Sequence, residues 1–196
     1  MTTLNAFSTG AAPRRQQVIA NGVLGMLIFV IAEAMFFAGL ISAFMIVRAS
    51  APGGIWPPSG QPRLPADETA FNTAMLLLSG VMLWVAHGRF RKSAGTARTP
   101  LLWAILLGAS FVVLQGVEWV ALIREGLTLT SSAHGGFFYL IVGMHAAHAV
   151  VALGVLSHVF AQLVRGRLHP ATLWTAEVFW YFVVGLWPFL YLRVYF

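Results

Sequence analysis

With a mean hydropathy of +0.80, 59% hydrophobic and only 9% charged residues, the 196-residue chain is no ordinary soluble domain; such a domain carries about 25% charged residues. Its formal charge of +6 invites a nucleic-acid reading, but unequal loop charge explains it better in so apolar a chain, so no nucleic-acid partner is expected. There is no cysteine, which excludes disulfides and thiolate metal sites.

The first 21 residues are polar and contain Arg14 and Arg15. The run after them outlasts a signal-peptide core and ends in no small-residue cleavage site, so it reads as a retained span. Five apolar segments predict helices at about 22–48, 68–91, 100–125, 135–165 and 171–196, forming one membrane domain over 1–196. Each is long enough to cross a hydrocarbon core of ~30 Å. Backbone groups in lipid must bond within their own segment, which selects helices over barrel strands of half that length. The expected fold class is all-α integral membrane, a bundle of five transmembrane helices.

Alternate connections fall on alternate sides. One side collects Arg14, Arg15, Arg89, Arg91, Lys92, Arg98, Arg165 and Arg167, and the other only Arg48, Arg63, Arg124 and Arg193. The positive-inside rule then puts the N-terminus in the cytoplasm and the C-terminus in the periplasm. Residues 50–68 are dense in proline and glycine and cannot continue a helix. Asp67 and Glu68 place acidic groups at the start of the second span, favourable to its dipole. Pro100 and Pro170 sit at first-turn positions, where no amide donor is lost.

Ionisable side chains at membrane depth are costly and mark sites. Glu33 lies near the middle of the first span and is expected to be protonated, or held by a donor or a bound water. His145 and His148 share one face of the fourth helix, among Gly143, Ala146, Ala147 and Ala149. Counting from the same side, Glu118 lies roughly 8–9 Å deep and the two histidines roughly 14–18 Å. A clasp of Glu118 with His145 or His148 across the third and fourth helices is expected, with Gln115 one turn away in the same network. Proton relay or metal ligation stand beside a structural network as readings of that group. At the inner ends, His158 and Glu177 are expected to pair, and His87 is read as an interfacial residue. The stripes Met35-Phe36-Phe37 and Trp180-Tyr181-Phe182 read as packing and lipid contact.

Taken in order, several motifs carry a resemblance. They are Glu33 in AEAMFFAG; Trp56-Pro57-Pro58 with Phe71-Asn72-Thr73, LLLSG and Ala86-His87; Gln115-Gly116-Val117-Glu118-Trp119; and Gly143-Met144-His145-Ala146-Ala147-His148. The set resembles the cytochrome c oxidase subunit III family of the haem–copper oxidases, in its short five-helix bacterial form. The resemblance implies a non-catalytic, supporting subunit of a terminal oxidase in the bacterial inner membrane. Haem and copper would sit in the catalytic subunit I and none in this chain. The chain would flank subunit I and other oxidase subunits, bind phospholipid, and support oxygen access and proton uptake near Glu33. It would take part in aerobic electron transport from cytochrome c or a quinol.

Tyr181 and Val184 stand where the family's last helix has His and Asp. That departure keeps a second branch open, an accessory subunit of a nitric oxide reductase. Two rivals from other classes are a proton or small-solute translocator and a membrane metalloenzyme using His145, His148 and Glu118. Against the translocator, no span is broken at mid-depth, although Trp187-Pro188 is a candidate kink.

Overall fold

The computed structural model describes residues 20–58 and 60–196; Arg14 and Arg15 of the loop-charge argument lie outside the described residues. Five helices follow one another as α1 Asn21–Ala49, α2 Ala66–Lys92, α3 Arg98–Arg124, α4 Ala133–Val164 and α5 Pro170–Val194. All five are long and apolar enough to cross a membrane. The shortest, α5, has 25 residues, and at ~1.5 Å per residue even it extends roughly 38 Å.

The helix ends have local causes. Ser132 Oγ accepts from the Gly135 amide and caps α4. Pro170 opens α5 without losing a donor. At the end of α3, Gly126 adopts φ 93°, its amide donates to Ile123, and Leu127 N donates to the Leu122 carbonyl at 2.9 Å. Leu122 and Leu127 are both buried, completing a left-handed helix stop that needs glycine at its turning point. Gly166 ends α4 in the same way. Pro188 removes one donor inside α5, yet the helix runs on through it to Val194.

Burial sets the arrangement. In α5, 50% of the most apolar window is buried, against 11% in α1, so α5 is the central helix and α1 the peripheral one. Helix α5 touches α1, α2 and α4, while α3 closes against α2 and α4. The core is apolar and aromatic, with Phe37, Phe44, Phe111, Phe138, Trp180 and Trp187 fully enclosed.

One seam of this core is polar. Trp180 Nε1 donates to Ser79 Oγ at 3.1 Å, and Ser79 Oγ donates in turn to the Ala104 carbonyl at 2.7 Å. Trp187 Nε1 donates to Thr73 Oγ1 at 2.8 Å, and Tyr191 Oη to the Ala66 carbonyl at 2.8 Å. These aromatic residues fall at intervals of seven and four along α5, so they share a face. Indole and phenol groups bring large apolar area and one donor each, which suits a helix seam without water. The Trp180 ring also lies against Gly108 of α3, where an added Cβ would come within 2.6 Å of it.

Candidate functional site

The polar side chains of the spans form three separate groups, not one. At mid-span, Glu33 of α1 meets His148 of α4, Oε2 to Nε2, at 3.1 Å. His148 Nδ1 lies 2.7 Å from the carbonyl of Met144 one turn back. A carbonyl only accepts, so Nδ1 carries the hydrogen and, in a neutral ring, Nε2 is a bare lone pair. A carboxylate facing that lone pair would be acceptor against acceptor. The two atoms approach to 3.1 Å without hydrogen-bond alignment, a contact that a protonated imidazole or a protonated carboxyl would make attractive. Glu33, expected to be protonated or held by a donor, has His148 as its neighbour.

The surroundings keep water scarce. Phe29, Phe37, Phe179 and Phe182 ring His148 with centroids 5.6 to 6.4 Å away. The side chains of His148 and Glu33 retain 11% and 22% of their accessible surface, so the pair opens on the α1 side of the bundle. One turn to either side of Glu33, Phe29 and Phe36 are 40% and 42% exposed, so the edge of α1 beside the pair is partly open within the chain itself.

His145, one turn from His148 on α4, points inward instead. Its ring stacks on Trp187 at 5.0 Å and 28°, with Phe37 and Phe111 edge-on. It is 1% exposed and neither ring nitrogen has a hydrogen-bond partner. Neither histidine reaches Glu118, which corrects the expected clasp between α3 and α4. Glu118 Oε2 accepts from Thr69 Oγ1 at 2.9 Å and from Gln115 Nε2 at 2.8 Å, so its tie runs to α2. Gln115 also donates to Tyr195 Oη at 3.3 Å and accepts from Asn72 Nδ2 at 3.4 Å. Gln115 joins Glu118 as expected, but in a network of α2, α3 and the end of α5. The cause is rotational phase: it is Trp119, next in sequence, that faces α4, beside Gly143. Successive helical residues point about 100° apart.

The inner pair is corrected too. Glu177 of α5 binds His87 of α2, its carboxylate oxygens 2.8 and 3.0 Å from Nδ1. His158 instead lies on the exposed side of α4, with its Nε2 2.8 Å from Gln162 Nε2 of its own helix. The face of α4 that turns inward there carries Leu156, Val159 and Leu163. His87 is thus a partner for a buried carboxylate and not merely an interfacial residue.

Sequence reasoning missed Thr69, Ser79 and Thr73 as acceptors and donors, and His134 at the start of α4. His134 is 2% exposed, has no partner on either ring nitrogen, and meets Trp56 edge-on at 5.2 Å. Hydroxyl residues recurring along one face of an apolar span were the available signal for the first three; nothing comparable marks His134.

The polar residues of the spans do not assemble a metal site of several ligands. Both nitrogens of His148 are engaged, His145 is boxed by aromatic rings, and Glu118 lies on another helix pair. Among the described residues no three His, Asp or Glu side chains converge on a point. A metal held by several protein ligands needs such convergence.

Comparison with known proteins agrees with the resemblance. A family model described as cytochrome c oxidase subunit III matches residues 8–196. The chain is 30% identical over 179 residues to cytochrome c oxidase subunit 3 of Rattus norvegicus, covering 87% of this chain and 67% of that protein. It is 31% identical to the proteins of the same name from Gallus gallus and Homo sapiens, over the same shares. This chain belongs to the cytochrome c oxidase subunit III family.

Proposed function

We propose that the chain is a supporting, multi-pass subunit of a haem–copper terminal oxidase, embedded beside the subunit that carries the redox centres. Family membership over nearly the whole chain supports this reading. The chain would lie in a bacterial inner membrane with its N-terminus in the cytoplasm, the side that its basic connections favour. Electrons would reach the partner from cytochrome c or a quinol, and this chain would carry none of them.

The observation that carries the functional site is the Glu33–His148 contact. A carboxyl–imidazole contact at mid-span, at the partly open edge of the most peripheral helix, is placed to meet a neighbour. We assign that face to the catalytic subunit or to a path for oxygen, with Glu33 sustaining proton supply during turnover. Phospholipid would cover the apolar surface that the neighbour leaves open. The networks at Glu118 and at His87–Glu177 hold helices together and take no part in this.

Mild-detergent purification from cells that express the chain tests the reading. A co-purifying haem protein, seen in the visible spectrum, is expected. A chain that emerges without a haem partner, or that is itself coloured or turns over a substrate unaided, contradicts it. Labelling that places both termini on one side of the bilayer contradicts the five-span orientation.

A further inference from the structure

We infer that the bundle end carrying residues 51–65 receives an acidic side chain, Asp or Glu, from an extramembrane segment of a neighbouring polypeptide. The inference rests on the reading of this chain as one subunit of an assembly. Arg48 ends α1, Arg63 lies in the connection to α2, and His134 opens α4. The three converge on a cavity of about 430 Å³, and no carboxylate side chain lines it. His134 is 2% exposed, and neither ring nitrogen has a partner. A neutral imidazole presents one N–H donor, and a buried donor left unpaired calls for an acceptor.

The arginines have donors to spare. Arg48 uses one N–H, to the main-chain oxygen of Phe196 at 2.6 Å. A guanidinium has five, in a fixed fork that matches the two oxygens of a carboxylate. Arg63 is exposed. It also lines a separate cavity with Glu68, Glu118 and Glu125, yet among the described residues it forms no ion pair with any of them. Two guanidinium groups and an unpaired imidazole around one cavity are complementary to a single anionic side chain.

Position decides for a polypeptide occupant. The lining comes from the last turn of α1, the first residue of α2, the first turn of α4, the end of α5 and the connection between α1 and α2. That sets the cavity in the end of the bundle, inside a collar of helix termini, where a neighbour's loop arrives; molecules lying along the spans meet the flank instead. Beside it runs an apolar groove of about 490 Å³, lined by Ile46, Val47, Ile55 and Ala133, with Trp56 shared between the two. Ile46 and Ile55 are 67% and 65% exposed, and Ile55 stands in the connection, outside every span. Apolar surface rimmed by polar groups marks a contact surface. An acidic residue next to an apolar one in a neighbour's loop fits both cavities at once, its carboxylate to Arg63 and His134 and its apolar companion to the groove.

Photo-crosslinking in intact membranes, followed by purification in mild detergent, tests the site. With a benzophenone amino acid in place of Ile55, the adduct should lie on a second, different polypeptide, close in sequence to an Asp or Glu. Arg63→Gln should shorten the retention of that polypeptide during purification by about two- to fivefold, and Arg63→Glu by more, with circular dichroism unchanged. Raised salt should shrink the gap between wild type and Arg63→Gln. His134→Phe, which keeps a ring and removes its donor, should weaken retention in the same direction. Replacing the neighbour's acid by arginine should restore retention in Arg63→Glu. Unaltered retention in Arg63→Glu overturns the proposal, as does an adduct on a segment without Asp or Glu. Adducts with phospholipid alone, or with another copy of this chain, also overturn it. Were Arg63→Glu to misfold, the adduct alone decides. An adduct on an acidic segment of a protein without haem would leave this inference standing and remove the oxidase partnership. A haem protein retained equally by wild type and Arg63→Glu would do the reverse.

Discussion

The two sides of this bundle treat polar groups in opposite ways. Between α2, α3 and α5, each indole or phenol of the seam donates to a named acceptor: Trp180 to Ser79, Trp187 to Thr73, Tyr191 to Ala66. Between α1 and α4, Glu33 and His148 meet at a partly exposed contact, and neither ring nitrogen of His145 has a hydrogen-bond partner. Satisfied polar groups in a dry seam fix helices in place. A carboxyl and an imidazole in contact at a partly exposed site are placed to answer a neighbour. The first side is the frame, and the second is the part of the chain with something to offer.

The comparison breaks most visibly if the frame is cut. Trp187→Ala removes a fully enclosed indole, the stack under His145 and the donor to Thr73. It should cost about 3–5 kcal/mol of stability, measured by denaturant unfolding in detergent. Gly108→Ala pushes a methyl into the Trp180 ring and should cost about 1–3 kcal/mol by the same measurement. Ser79→Ala is gentler. It leaves Trp180 Nε1 unpaired, yet hydrogen bonds between membrane helices average only ~0.6 kcal/mol, so a loss of roughly that size is expected. Equal losses for Trp187→Ala and Ser79→Ala would mean that hydrogen bonds, not packed aromatic area, hold the seam. On the other side, Glu33→Gln should move stability by less than about 0.5 kcal/mol, because its site is partly exposed and the amide keeps a donor for His148 Nε2.

Much of the frame was legible and little of the pairing. Helix number and type followed from five long apolar runs, and their ends shift by only a residue or two from the apolar limits because caps such as Ser132 and Gly126 set them. Depth along a helix could be counted from sequence, which brought Glu118 and His145 to nearby levels. Direction could not, because one residue of register turns a side chain by about 100°. That is why Glu118 found Thr69, and why Glu177 found His87 while His158 faces outward. The stripe Trp180-Tyr181-Phe182 was likewise legible only as apolar. In the fold Trp180 is fully buried and hydrogen-bonded, whereas Tyr181 is 38% exposed. Phase decides the role, and it is a property of the packed bundle.

The most direct measurement compares wild type and Glu33→Gln within the assembled oxidase, following unfolding and the decay of oxygen consumption over many turnovers. The account predicts matched unfolding midpoints and a variant whose activity decays sooner. A variant that unfolds early and otherwise works normally, or one that decays at the wild-type rate, would contradict the division between a structural seam and a partner-facing edge.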